Sequence, residues 1–149
     1  STPFLSLCVI CGDVGLPVLP RMLRSVLCRR LGPCADEVVI WWNGKTSTPD
    51  PAEWGLPPEV DIRVIQGEWR DNFAWARQQS FEAARGEWRM YLDADDILSG
   101  GEDDAETQKS IQRASLTQGE VMHHATLQAA IDALKDAGAK HIVPIALAH

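Results

Sequence analysis

The sequence has no apolar run long enough to cross a membrane. Pro, Arg or Asp interrupts its hydrophobic stretches well before the roughly 20 residues that a transmembrane helix needs. Residues 1–5 also lack the basic start and the long apolar segment of a secretory signal. From these absences we expect no membrane segment and a cytoplasmic location.

Positive charge is scarce. The chain has 14 Lys and Arg residues against 21 Asp and Glu residues, a net charge of −7. This balance provides no electrostatic field that would gather nucleic acid or an anionic membrane surface. We therefore expect no nucleic-acid binding, and an anionic ligand would need local help from a metal ion or from backbone N–H groups.

A complete set of zinc ligands is missing as well. Cys8 and Cys11 have the spacing of a zinc knuckle or a redox pair, but no second close pair and no His-x-x-x-His pattern follows. We expect the four cysteines to be buried or half-buried free thiols, with a metal role for the pair as the less favoured alternative. We expect His123 and His124 to lie on the surface.

The composition that is present is that of an ordinary globular domain. The chain has 149 residues, of which 45% are hydrophobic and 23% are charged, so it is long enough to form one core. We find no internal repeat, and we expect residues 1–149 to form a single domain. The polar segment 99–119 is expected to be a mobile loop or a weak surface helix.

Several short apolar segments have the pattern of β-strands. The nearly continuous apolar run at 4–10 is typical of a strand buried on both faces of a parallel sheet. The alternating segment at 61–65 is expected nearer a sheet edge. Further strands are predicted at 37–42, at 88–92 and at 141–147.

Helical patterns separate these strands. Apolar residues recur at helical spacing and predict helices over 19–29 and 72–85, the second with Phe73, Ala76, Phe81 and Ala84 inward and Gly86 as its C-terminal cap. Prolines make 48–58 an irregular loop, and a last helical stripe runs over 127–134 with Gly138 as its cap.

The alternation of strands and helices predicts an α/β sandwich with a mainly parallel sheet. In such sheets ligands bind outside the carboxyl ends of the strands. The loops expected to converge there are 11–15, 42–48 and 93–96.

The fourth predicted strand stops at Asp93-Ala94-Asp95-Asp96. In an extended chain, side chains two residues apart point the same way, so Asp93 and Asp95 are expected to present two carboxylates to one pocket while Ala94 packs behind them. Mg²⁺ or Mn²⁺ suits this pair, because hard cations take oxygen ligands and are shared with substrate phosphates. On these four residues alone, an acidic turn or a helix N-cap is the alternative.

Four blocks of the chain have the order and spacing typical of family 2 glycosyltransferases. Two are less specific, at 6–10 and 36–40. The specific ones are 69–77, Trp-Arg-Asp-Asn-Phe-Ala-Trp-Ala-Arg, and 86–96, Gly-Glu-Trp-Arg-Met-Tyr-Leu-Asp-Ala-Asp-Asp. The first two-thirds of the chain therefore resembles the N-terminal, nucleotide-sugar-binding portion of a family 2, GT-A type glycosyltransferase.

This resemblance implies a Rossmann-like GT-A sandwich that binds a nucleotide-sugar donor, most often a UDP-sugar, over the carboxyl edge of the sheet. By this analogy Asp93 faces the ribose or the metal, Asp95 binds Mn²⁺ or Mg²⁺, and Arg77 helps to hold the nucleotide or diphosphate. The alternative for Arg77 is a solvated helix arginine. The expected nucleotide-sugar-binding residues are Cys11, Asn43, Arg77 and Asp93, and the expected metal ligands are Asp95 and Asp93.

Some positions depart from the family pattern. Trp42 and Asn43 stand where the family usually has an Asp that binds the base, so either Asn43 replaces that Asp or Trp42 stacks on the base. Gln78 replaces the Asn that usually follows the helix Arg, and Asp13 replaces an Asn in the first loop. The identity of the base therefore stays open.

The catalytic base of the family, an Asp or Glu, comes from the second half of the domain. We expect that half to be absent or reduced here, and the base is unknown. None of the later carboxylates is well placed by spacing: Glu102, Asp103, Asp104, Glu106, Glu120, Asp132 and Asp136. We therefore expect a chain that binds a donor but transfers sugar to its acceptor, whose class is unknown, slowly or not at all.

Two other functions are weighed against this one. The first is a non-catalytic nucleotide-binding or interaction module that keeps the fold. The second is a nucleotidyltransferase on a similar sheet, but residues 11–15 lack the Gly-rich phosphate loop that it requires. A kinase or a dehydrogenase is disfavoured for the same reason.

Overall fold

The computed structural model describes residue 3 and the ranges 5–30, 32–97 and 145–146. The strands in these ranges are β1 (Leu5–Cys11), β2 (Glu37–Trp42), β3 (Asp61–Gln66), β4 (Trp88–Tyr91) and β5 (Ile145–Ala146). They form one sheet in the order β3-β2-β1-β4-β5, in which β1 to β4 are parallel and β5 is antiparallel to β4. The predicted mainly parallel α/β sheet is confirmed, with β3 at an edge and β4 beside β1.

Two helices cover opposite faces of this sheet, α1 (Leu19–Leu27) and α2 (Phe73–Ala83). Side chains alternate along β1, so Leu7 and Val9 pack in the cluster beneath α1, whereas Cys8 packs against Phe81 of α2. Because β1 to β4 are parallel, their carboxyl ends lie at the same edge of the sheet. The loop after β1, the loop after β2 and the segment after β4 come together at that edge.

Helix α1 has the predicted amphipathic pattern but ends two residues early. Its inward face is buried and consists of Leu19, Met22, Leu23, Val26 and Leu27. The backbone N–H of Cys28 closes the last turn on Arg24 at 2.8 Å. Arg29, expected on the outer face or at the helix end, is only 8% exposed, because its side chain folds back and donates to the Ser25 carbonyl at 3.1 Å.

Helix α2 corrects two expectations. Its C-cap is Ala84 and not Gly86, because the chain becomes extended at Ala84 (φ −73°, ψ 142°) to enter β4. Phe73, the first residue of α2, is 62% exposed instead of inward, because the first turn packs on the sheet through buried Ala76 and through Trp75, whose ring lies edge-on to Trp41 of β2. At that end the Asn72 side chain accepts a hydrogen bond from the Trp75 N–H at 3.1 Å, which caps the helix.

The Pro-rich segment 48–58 is not wholly irregular, because Pro51–Trp54 forms a short 3-10 helix. Proline is tolerated at the start of such a helix, where an N–H would have no partner. Asp50 caps the turn by accepting from the Ala52 N–H at 3.0 Å.

A buried polar network ties the strands together at the amino edge of the sheet. Glu37 is fully buried and accepts from the Ser6 hydroxyl at 2.8 Å and from the Arg85 backbone N–H and Nε at 2.8 and 2.7 Å. Arg85 also pairs with the exposed Asp61, and Arg63 lies 3.4 Å from Glu37. Burial by itself would raise the pKa of Glu37, but these hydrogen bonds outweigh it and the pKa is lowered.

Some predictions fall outside the described residues. They are the segment 99–119, the helix at 127–134 with Gly138, and the histidines at 123 and 124. The last predicted strand is confirmed at Ile145–Ala146. Within the described ranges, no helix combines the length and the apolarity that a membrane span requires. The single domain and the cytoplasmic location stay predictions.

Candidate functional site

The residues after β4 form an acidic turn. The Asp96 N–H donates to the Asp93 carbonyl at 3.0 Å, and the Asp93 N–H donates to the Asp96 carboxylate at 2.9 Å. The argument from an extended chain was therefore wrong, because β4 already ends at Tyr91 and the aspartates follow in a turn. Ala94 is 8% exposed and packs in the core, as predicted.

The turn nevertheless brings the carboxylates together. One ligand oxygen from each of Asp93, Asp95 and Asp96 lies within 4.8 Å of the other two. Asp93 and Asp95 are exposed, whereas Asp96 is buried. Three carboxylate oxygens at this separation fit a hard divalent cation such as Mg²⁺ or Mn²⁺, which takes oxygen ligands and keeps several waters. Asp96 was not among the predicted ligands.

A cleft lies beside this turn, between the loops that follow β1 and β2. Its volume is about 450 Å³, and its lining includes residues 11–15 and 43–45 together with the aromatic side chains of Trp69 and Phe73. Trp69 is 40% exposed, and its ring packs edge-on against Phe73 with centroids 4.7 Å apart. The cleft therefore combines a polar loop wall with an exposed aromatic rim.

Asp13 holds the two loops of the cleft together. Its carboxylate accepts hydrogen bonds from the Thr46 hydroxyl at 2.6 Å, from the Lys45 N–H at 2.7 Å and from the Thr46 N–H at 3.3 Å. The bond from the Thr46 side chain, followed by the bond from the Lys45 backbone, lowers the pKa of Asp13. The sequence pattern showed only that Asp13 departs from the family.

The structure places two of the predicted binding residues, Cys11 and Asn43, along this cleft. Asn43 is half-buried, and its N–H donates to the Cys11 carbonyl at 3.0 Å. Cys11 is 2% exposed, and burial raises the pKa of its thiol to about 11. Trp42 is fully buried and donates its indole N–H to the Thr46 carbonyl at 3.1 Å. The proposed stacking of a base on Trp42 is thus wrong.

The other two predicted binding residues, Arg77 and Asp93, lie together on the α2 side of the turn. Both line a small cavity of about 30 Å³. The Arg77 guanidinium carbon lies 3.7 Å from the centroid of the Tyr91 ring. Ile10 and Phe73 line both this cavity and the larger cleft, so the two spaces are neighbours.

Close packing joins the first loop to the acidic turn. A Cβ on Gly15 would lie 3.2 Å from the Ala94 Cβ and 3.2 Å from the Cys11 sulfur. Gly44 in the second loop is more restricted, since a Cβ there would lie 2.4 Å from the Trp42 ring. Glycine at these two positions lets the loops approach the strand ends closely.

The cysteine pair does not form a metal site. Cys8 and Cys11 are three residues apart in one strand, and their side chains therefore lie on opposite faces of the sheet. All four cysteines are free; Cys8, Cys11 and Cys34 are buried and Cys28 is exposed. The expectation of buried or half-buried free thiols is confirmed for three of the four.

The fold and the site define the class to which this protein belongs. The sheet order, the two covering helices and the acidic turn at the carboxyl edge are those of a GT-A glycosyltransferase fold. The family model for glycosyl transferase family 2 matches residues 6–140. This chain belongs to glycosyl transferase family 2.

One curated protein is similar in sequence to part of the chain. A TPR repeat-containing protein of Synechococcus elongatus is 34% identical over 94 residues, which cover 62% of this chain and 21% of that protein. The chain spans about a fifth of the length of this curated relative.

Two solved structures are similar in fold. TarS 1–349 of S. aureus has a TM-score of 0.54 at 19% identity, over 74% of this chain and 32% of TarS. The mannosyltransferase PcManGT from Pyrobaculum calidifontis, solved in complex with GDP-Man and Mn²⁺, has a TM-score of 0.53 at 19% identity, over 81% of this chain and 34% of PcManGT. The chain spans about a third of each of these structures.

Proposed function

We propose that this chain binds the nucleotide-sugar donor of a metal-dependent glycosyltransferase. The observation that carries the proposal is the convergence of three carboxylate oxygens within 4.8 Å at the carboxyl edge of the sheet, next to a cleft of about 450 Å³. A cleft of this volume is in the range of small-molecule sites. The two features together suit a ligand that carries both a diphosphate and a base.

The acidic turn would hold the cation. Asp93 and Asp95 are the exposed members and would bind Mn²⁺ or Mg²⁺, and buried Asp96 keeps the turn in shape while offering a third oxygen. When bound, the cation stabilises the negative charge on the departing diphosphate as a Lewis acid. This arrangement compensates for a net charge of −7, which would otherwise repel an anionic donor.

The other residues would bind and orient the donor. Arg77, which lines the small cavity together with Asp93, would supply a fixed cation for the diphosphate. The Asn43 side chain both donates and accepts hydrogen bonds and would contact the base or the ribose. Phe73 and Trp69 exclude water from one wall and offer ring faces.

A UDP-sugar is the donor that we propose first. The support for it is the resemblance of the two specific blocks to enzymes that most often use UDP-sugars. PcManGT was solved with GDP-Man and Mn²⁺, so a guanine nucleotide is the second candidate. The acceptor, which could be a glycan, a lipid, a protein or a small molecule, is not defined by the described residues.

Calorimetry with UDP and GDP, each with and without Mn²⁺, tests the proposal. We expect binding that depends on Mn²⁺ and that weakens at least about tenfold in Asp95→Asn, because an amide replaces a coordinating carboxylate. Glu59→Gln is the matched control, since it removes one exposed carboxylate far from the cleft. Equal affinities for wild type and Asp95→Asn would show that the metal site is misplaced.

Release of UDP or GDP from nucleotide sugars, measured with and without acceptors, separates the enzyme from a non-catalytic module. The candidate bases after Asp96 lie outside the described residues. Our prediction for the 149-residue chain is donor binding with slow or no transfer, and any turnover is expected to be mainly hydrolysis. Rapid release that depends on an acceptor would contradict it.

A further inference from the structure

We propose that Tyr91 is a positioning residue that fixes the Arg77 guanidinium beside Asp93 without neutralising it. The inference rests on the proposed function, because the group for which Arg77 is held is the diphosphate of the donor. It assigns a role to a side chain that neither binds the metal nor lines the larger cleft.

The contact between the two side chains is a cation–π interaction. The guanidinium carbon of Arg77 lies 3.7 Å from the ring centroid of Tyr91, well inside the roughly 6 Å range of this attraction. Tyr91 is the last residue of β4, and its ring also packs against Phe81 with centroids 6.4 Å apart. The ring is thus itself held in place, on the strand that leads directly into the acidic turn.

Arg77 differs from three other arginines, each of which has an acidic partner. Arg63 and Arg85 both pair with Glu37, and Arg70 pairs with Glu68. Within the described ranges neither Arg77 nor Arg89 has an ion pair, and the buried Nε of each has no hydrogen-bond partner, but of the two only Arg77 lines the small cavity with Asp93. A cation that is fixed in place without an acid keeps its charge available for an anionic ligand.

Arg77 and Asp93 both line the small cavity on the α2 side of the acidic turn. Its volume, about 30 Å³, has room for a water molecule and not for a phosphate group. The diphosphate would then meet the outer edge of the guanidinium, while the Asp93 carboxylate stays directed to the metal.

A neutral ring is better suited than a carboxylate to hold the Arg77 guanidinium in place for the diphosphate. An acid against Arg77 would cancel the charge that the diphosphate needs, and a merely aliphatic neighbour would leave the guanidinium free to swing into the acidic turn. Tyr91 therefore affects ligand binding through Arg77, and removal of the ring has no further effect once the guanidinium is gone.

A double-mutant cycle tests this dependence, with UDP and Mn²⁺ as the probe and GDP with Mn²⁺ in parallel. We expect Tyr91→Phe to bind within about twofold of wild type and Tyr91→Leu to bind about tenfold more weakly, because phenylalanine keeps the ring face and leucine does not. In an Arg77→Met background, Tyr91→Leu should cause no further loss. Trp54→Leu is the control, since it removes a ring that packs against the cluster beneath α1, on the opposite face of the sheet from Arg77.

A second measurement does not depend on whether the leucine variant folds. Tyr91 is the only tyrosine in the chain, so biosynthetic 3-fluorotyrosine changes this ring alone. Fluorine withdraws electron density from the ring face, so UDP affinity should fall about twofold. Unchanged affinity in the fluorinated protein, or losses in Tyr91→Leu that add to those of Arg77→Met, would overturn the inference. If the wild type binds neither nucleotide, the proposed function fails first and this inference fails with it.

Discussion

The Thr46 hydroxyl donates to the Asp13 carboxylate at 2.6 Å, and this hydrogen bond joins the loop after β1 to the loop after β2. The Lys45 N–H donates to the same carboxylate at 2.7 Å. Asp13 and Lys45 both line the cleft. The width of the proposed donor site is therefore set by one exposed carboxylate that bridges two strand ends.

Removal of this bridge should weaken ligand binding more than it weakens the fold. We expect Asp13→Ala and Thr46→Val to reduce the affinity for UDP with Mn²⁺ by about threefold to tenfold, because the loops must then be ordered by the ligand. Thr46→Ser keeps the hydroxyl and should bind like the wild type. Calorimetry measures the affinities, and equal binding by all three variants would show that the bridge does not shape the site.

The same bridge predicts a pH dependence. The hydrogen bonds lower the pKa of Asp13 below its ordinary value of 3.8, so the bridge is present above that value and is lost as the pH falls through the lower pKa. Carboxyl chemical shifts in an NMR titration should show Asp13 titrating below 3.8. Titration at or above 3.8 would contradict the hydrogen bonds.

Asp96 should have two roles in the acidic turn that can be measured separately, one as a hydrogen-bond acceptor and one as a metal ligand. Asp96→Ala removes the acceptor of the Asp93 N–H, and we expect it to cost about 1 kcal/mol in the free energy of unfolding and to weaken Mn²⁺ binding. Asp96→Asn keeps an acceptor oxygen and should retain most of the stability. Urea unfolding and Mn²⁺ titration distinguish the two variants, and identical stability for both would mean that the turn does not depend on this bond.

At the amino edge of the sheet, Glu37 should be the carboxylate that contributes most to the stability of the fold. We expect Glu37→Gln to lower the free energy of unfolding by about 2 kcal/mol, because it weakens charge-assisted hydrogen bonds to a buried group. The matched control is Asp61→Asn, which alters an exposed pair with the same Arg85 and should cost less than about 0.5 kcal/mol.

The lowered pKa of Glu37 determines how the stability of the fold depends on pH. Its pKa is lowered from 4.5, so its contribution is present above that value and is lost as the pH falls through the lower folded-state pKa. Wild type should therefore lose stability below about pH 4.5 more steeply than Glu37→Gln. Parallel curves for the two proteins in urea would contradict the assigned network.

Cys28 should react with thiol reagents much faster than the other three cysteines. Cys28 is exposed, whereas burial raises the pKa of Cys8 to about 12 and that of Cys11 to about 11. Because thiolates are the reactive form, we expect Ellman's reagent at about pH 8 to modify Cys28 rapidly in the native protein and all four thiols only in denaturant. Cys28→Ser should abolish the rapid phase, and a second fast thiol would show that the core is more open than the structure indicates.

Local sequence was sufficient to predict much of the sheet. The apolar runs predicted β1, β2 and β4 within one residue at either end, and the alternation in β3 indicated an edge strand. These features depend on periodicity, which the sequence carries directly. The order Asp-Ala-Asp-Asp after a buried strand was likewise enough to locate the acidic cluster, although not to describe its geometry.

The tertiary structure decided how the side chains of the site are arranged. The aspartates converge through a turn, Trp42 is buried in the core, and Phe73 faces outward, because each depends on where a strand or helix ends relative to its neighbours. The bridge between Asp13 and Thr46 and the stacking of Arg77 on Tyr91 join residues far apart in sequence. Periodicity contains no information on such pairs, since they form only when parallel strands bring separate loops to one edge of the sheet.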